Sequence, residues 1–137
     1  MPERPFVTVG AIIMNQRNEV LLFKSDKWHG KYILPSGHVE YSETLENAVK
    51  REVKEETNLE IYDINFLKPI ELVNSQEYHK TDKHFICMQY VCKTSGLDVK
   101  INSEGKEPVW MTLGEAFKQD LESVTRETIQ YYTFYYL

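Results

Sequence analysis

Apolar residues fall into short runs separated by polar, turn-rich stretches. Phe6–Met14 (FVTVGAIIM) and residues 20–24 (VLLFK) read as strands, and the polar residues between them read as a hairpin turn. Residues 25–31 form a loop, and 32–34 a short extended piece stopped by Pro35. Residues 42–57 carry helical spacing, with Ser42 as N-cap. Residues 61–73 hold one or two strands, interrupted near Pro69, and 74–83 form a polar loop. Residues 84–92 (HFICMQYVC) are a strongly apolar strand, 94–98 turn, and 99–101 pair briefly. Residues 102–107 (NSEGKE) are a flexible loop before a strand at 109–111. Thr112 opens a helix with Glu115 completing a capping box, and 122–136 is a final helix. Strands alternating with few helices predict an α/β or α+β fold. With no repeat and no linker, residues 1–137 are expected to form one domain.

The helix at 42–57 breaks its own pattern. At about 100° per residue, Leu45, Ala48, Val49 and Val53 share one stripe roughly 140° wide. Glu46, Asn47, Lys50, Arg51 and Lys54 cover the opposite, solvated face. Glu52 and Glu56 project into the middle of the apolar stripe, and Glu55 lies at its edge. Three inward carboxylates within about one turn repel each other and resist desolvation. Arg51 alone cannot neutralise three of them. A hard divalent cation with a preference for oxygen ligands, Mg²⁺ or Mn²⁺, would resolve the conflict.

Residues 37–59 read GHVEYSETLENAVKREVKEETNL. This stretch resembles the Nudix box, the signature of the Nudix hydrolases, which include the MutT-like nucleotide pyrophosphatases. Gly37, Glu43, Arg51, Glu52, Val53, Glu55, Glu56 and Leu59 fall in register with that pattern. Asn58 stands where the family has Gly, at a helix C-cap that needs a left-handed backbone, and Asn is the next-best residue there. Ser36 departs from the Gly that many relatives place before Gly37. The resemblance implies a mixed, curved sheet sandwiched between helices, an α/β/α arrangement. It implies Glu52 and Glu56 as principal metal ligands, with Glu55 and the Gly37 carbonyl assisting. Arg51 and Glu43 would orient the carboxylates. For the general base it leaves open Glu52 or a loop outside the box. There Glu104 lies six residues before Trp110, a spacing similar to the base-bearing loop of MutT-like enzymes, and Glu107 is its rival.

Composition narrows the partners. Of 137 residues 42% are hydrophobic, enough for a sizeable core, and the net charge of −5 argues against a general nucleic-acid binder. No apolar run is long enough to span a bilayer, and the N-terminal residues lack the order of a secretion signal. Cys87 and Cys92, an odd number of residues apart on one strand, point to opposite faces and should not pair. Unpaired cysteines fit a reducing cytoplasm. The resemblance then implies a small-molecule nucleotide as the partner, with a monomer or homodimer expected.

Other residues have a functional and a plain reading. Lys24 at a strand end could hold a substrate phosphate or sit solvated at an edge. His38 could touch phosphate or metal, or serve structure. Trp28 could stack on a base or plug the core. Ile129, Tyr132 and Tyr136 share a helical face, suited to packing or a dimer contact. Tyr78, His79 and His84 do not have zinc-site spacing. Downstream of the box, the signature Pro of ADP-ribose hydrolases is replaced by Asn74. Tyr78 comes slightly later than the Tyr of dinucleoside polyphosphate hydrolases, and the patterns of NADH and coenzyme A hydrolases are absent. What remains is metal-dependent hydrolysis of a nucleoside di- or triphosphate, damaged or non-standard ones included. The alternatives are another nucleoside diphosphate-linked compound (ADP-ribose, a dinucleoside polyphosphate, capped RNA) or a catalytically silent nucleotide-binding module.

Overall fold

The computed structural model describes residues 3–137. Strand β1 (Phe6–Met14) is buried on both faces over its second half, as its unbroken apolar run requires. It returns through a tight hairpin into β2 (Glu19–Lys24). Asn15 closes that turn, its Oδ1 accepting from Arg17 N and Glu19 N at 2.9 Å each. Short strands β3 (Tyr32–Ile33) and β4 (Ser36–His38) follow, then helix α1 (Leu45–Thr57). Strands β5 (Tyr62–Val73), β6 (His84–Lys93) and β7 (Lys106–Thr112) precede helices α2 (Leu113–Ala116) and α3 (Ser123–Tyr136).

The seven strands form one open, mixed sheet in the order β3-β2-β1-β6-β5, with β4 also on β1 and β7 also on β2. β1 runs parallel to β6 along its whole length, from Phe6↔Phe85 to Met14↔Lys93, and antiparallel to β2 and β4. Side chains alternate across it. Val9, Ala11 and Ile13 pack with Ala48, Val49 and Val53 of α1. Ile12 and Met14 pack with Ala116 of α2 and Ile129 of α3. The expected sheet between helices is thus present. Cys92 lies in the α1 layer and Cys87 in a separate cluster with Val124 of α3, and both are buried and unpaired. Among the described residues no helix is long and apolar enough to cross a membrane.

Several boundaries differ from the sequence reading. Helix α1 starts at Leu45, because Ser42 adopts a left-handed backbone (φ 65°) and Thr44 caps instead, accepting from Asn47 N at 3.2 Å. β5 runs unbroken through Pro69, which is tolerated on an edge strand, with a register shift between Phe66 and Lys68. Residues 99–101 join no strand. The chain there follows the end of α1, with Lys100 N donating to Thr57 O at 3.0 Å and Asn102 N to Glu56 O at 3.3 Å. The 25–31 loop holds a 3₁₀ turn at Asp26–Trp28, capped by Ser25.

Candidate active site

The register of α1 delivers the acids where its periodicity placed them. Glu56 is 7% exposed, Glu52 is half-buried and Glu55 faces solvent. Glu56 Oε1 accepts from Ser36 N at 2.8 Å. Burial pushes its carboxyl up to about 8, reinforced by the charge of Glu52. Burial also raises Glu52, against the pull of Arg51. The helix ends as its sequence requires: Asn58 takes a left-handed backbone (φ 63°) and donates to Lys54 O at 2.9 Å.

Arg51 is committed elsewhere. It grips Glu43 with two hydrogen bonds, Nε to Oε2 at 2.6 Å and Nη2 to Oε1 at 2.8 Å. This fork, with a bond from Glu40 N, holds the Glu43 carboxyl down at about 2. The same guanidinium reaches Glu52 Oε1 at 2.8 Å, Glu55 Oε2 at 3.3 Å and the His38 carbonyl at 2.9 Å. One cation thus serves Glu43, Glu52 and Glu55, while Glu56 receives only a backbone N–H.

Strand β4 brings Gly37 against this cluster. A Cβ at Gly37 would collide with the Glu52 carboxylate, so glycine is what lets the backbone approach it. A cavity of about 140 Å³ opens there, lined by Gly37, His38, Glu56, Trp28, Lys27 and Glu104 among others. Glu104 reaches it because its loop is pinned. Asn102 bonds to the end of α1, and Gly105 lies so close to the Phe23 ring that a Cβ would come within 2.8 Å. Glu104 Oε1 pairs with Lys27 Nζ at 3.2 Å, and its charge contributes to the raised carboxyls of Glu52 and Glu56. Burial, then the charge of Lys27, lowers His38, favouring its neutral imidazole.

The structure separates the remaining candidates. Glu107 turns to Lys24 at 3.6 Å, and Lys24 sits over the Tyr32 ring; neither lines the cavity. Lys27, carried by the 3₁₀ turn after β2, lines the cavity. Trp28 packs on Tyr78 with ring centroids 4.5 Å apart, forming an aromatic wall with Phe85. Gln89 and Glu122, both buried, line the same cavity. No local sequence signal marked them; strand register and a helix cap bring them in.

The donors are all hard oxygens: Glu52, Glu55 and Glu56, with the Gly37 backbone against Glu52. This set suits a divalent cation of the Mg²⁺ class, and positive charge beside Glu56 would offset the burial and the Glu52 charge that raise its carboxyl. Among the described residues no three His, Cys, Asp or Glu side chains converge as they stand. Arg51 draws Glu52 and Glu55 aside while Ser36 N–H holds Glu56.

A family profile described as NUDIX domain matches residues 4–132. An ADP-ribose pyrophosphatase of Methanocaldococcus jannaschii is 34% identical over 111 residues, covering 80% of this chain but only 63% of that protein's length. A nucleoside triphosphatase NudI of Escherichia coli O81 is 29% identical over 106 residues, covering 74% of this chain and 75% of the relative. A MutT protein from Methanosarcina mazei Go1, known by its crystal structure, superposes with a TM-score of 0.76 at 26% identity, covering 95% of this chain and 94% of that one.

Proposed function

Because the chain belongs to the NUDIX family, we propose that it hydrolyses a phosphoanhydride bond of a nucleoside di- or triphosphate with the help of Mg²⁺ or Mn²⁺. Members of this family generally require divalent cations. The observation that carries the reading is the buried Glu56 beside Glu52, left without a compensating cation because Arg51 is engaged by Glu43. Such a cation would neutralise charge on the diphosphate and make nearby water more acidic. Glu52 and Glu56 are its ligands in this proposal, assisted by Glu55 and the Gly37 carbonyl. Arg51, clamped by Glu43, fixes the position from which Glu52 and Glu55 would swing onto the metal.

The chemistry asked of the side chains is modest. Water attacks one phosphorus, the anhydride P–O bond breaks, and its electron pair leaves on the departing phosphate. Glu104, at the rim of the cavity, accepts the proton that water loses; its pairing with Lys27 is the contact that a substrate phosphate would take over. Glu52 is the alternative acceptor. The two free, buried cysteines support a reducing compartment such as the cytoplasm.

The relatives' names set the substrates to try. Release of phosphate or pyrophosphate is measured from a panel of nucleoside di- and triphosphates and from ADP-ribose, with Mg²⁺ and with Mn²⁺. Metal-dependent turnover of at least one nucleotide is expected. Tight nucleotide binding without turnover under either metal would instead favour a silent binding module.

A further inference from the structure

The cavity contains a polar group that the chemistry at Glu52 and Glu56 does not use. Gln89 of β6 is 4% exposed and lines the cavity near Gly37. It pairs with Gly10 of β1, and its amide lies across that glycine: a Cβ there would come within 2.7 Å of Oε1 and 2.8 Å of Nε2. Nε2 donates to Thr128 Oγ1 at 3.0 Å. That hydroxyl gives its own proton to the Val124 carbonyl at 2.6 Å. It can therefore only accept from Gln89, which fixes the amide with nitrogen toward Thr128 and oxygen on its other arm. Among the described residues no side-chain or backbone donor bonds to Oε1, and it is not one of the enclosed, partnerless polar atoms (His84 Nε2 and Thr133 Oγ1), so it is reached from the cavity that Gln89 lines.

Its surroundings indicate what the partner is. Glu122, 3% exposed, also lines the cavity as an acceptor, already receiving Val124 N, Thr125 N and the Thr125 hydroxyl. Trp28, Tyr78 and Phe85 supply an aromatic lining of mutually inclined rings, with Trp28 and Tyr78 at 50° and Tyr78 and Phe85 edge-to-face at 5.2 Å, so each can offer a face or an edge to a ring between them. Gly37 and Glu56 line the same space. A planar heteroaromatic ring fits such walls, and acceptors on the polar side call for N–H groups on its edge. An oxo group in that place would set two acceptors face to face with no proton between them.

We propose that this cavity is a nucleobase subsite in which Gln89 Oε1 accepts a hydrogen bond from an exocyclic amino group. The protein then favours adenine over hypoxanthine and cytosine over uracil. This rests on the nucleotide reading above, since phosphates held at Glu52 and Glu56 would lead the base into the cavity.

Two measurements test it. The first compares kcat/KM for ATP against ITP and for CTP against UTP. The second compares Kd for the corresponding nucleoside monophosphates, read by tryptophan fluorescence in a Trp110→Phe background that leaves Trp28 as the reporter, and needs no turnover. The amino member of each pair is expected to be favoured by about 10- to 100-fold. Gln89→Leu, which keeps the volume but removes the acceptor, should bring the ratio to within about threefold, mainly by weakening the amino member. Gly10→Ala, which displaces the amide without removing it, should reduce the ratio as well, and covers the case in which the first variant does not fold. Equal treatment of the pairs by the wild type, or a ratio unchanged in folded variants, overturns the proposal. Hydrolysis without base preference would overturn this subsite and leave the catalytic reading standing. Amino-selective binding without hydrolysis would do the reverse.

Discussion

At Glu56 burial and the neighbouring Glu52 charge both oppose ionisation, and the carboxyl is pushed up to about 8 from an ordinary value of 4.5. A carboxyl whose folded value lies above its unfolded one binds its proton more tightly in the fold. Its contribution to stability is full below about 4.5 and is lost as pH rises through about 8. The metal-free protein should therefore lose thermal stability across that window, and Glu56→Gln should flatten the dependence; an unchanged pH profile in the variant would place the effect elsewhere. With metal present, the proposed role of Glu52 and Glu56 is to hold it for catalysis. Glu52→Gln and Glu56→Gln are each expected to lower turnover by roughly 10³-fold or more while the circular dichroism spectrum stays native. Arg51→Lys keeps the charge but cannot form the fork on Glu43, and should cost about 10- to 100-fold in kcat/KM.

At the scale of elements, the loop at 102–105 is held to α1 by Asn102 and against Phe23 by Gly105. Gly105→Ala should push that loop outward and Glu104 with it. Loss of about tenfold or more in kcat, with a urea midpoint near that of wild type, is expected if Glu104 acts in catalysis; full activity would return the base to Glu52. The inward register of Glu52 and Glu56 was legible because helical spacing is local, and so was the left-handed cap at Asn58. The helix start was not. Ser42 and Thr44 are both good caps, and the left-handed backbone at Ser42 decides between them. Lys27 was not legible as a cavity residue because a 3₁₀ turn after β2 brings it there. Gln89 and Glu122 were illegible for a different reason. They are distant in sequence, and only the parallel pairing of β1 with β6 and the packing of α3 bring them together.

Across the whole molecule the sheet is covered by α1 on one face and by α2 and α3 on the other, with one cysteine in each layer. Burial pushes the Cys87 thiol up to about 11 and the Cys92 thiol up to about 12. Thiol reagents at neutral pH should therefore leave the native protein almost unlabelled and modify both residues together when it unfolds; fast labelling of either one in native conditions would show that its layer opens locally. The fold also fixes where negative charge concentrates. Glu56 and Glu104 line the cavity, Glu52 lies against Gly37 at its edge, and the nearby cations Arg51 and Lys27 are already paired. Isothermal calorimetry of Mg²⁺ and Mn²⁺ uptake, run at pH 7 in buffers of different ionisation enthalpy, examines that arrangement most directly. Uptake should release on the order of one proton, because the Glu56 carboxyl must ionise to bind metal, and both uptake and release should weaken sharply in Glu56→Gln. Absence of uptake with or without nucleotide, or uptake equal in wild type and Glu56→Gln, would contradict a metal site at these glutamates.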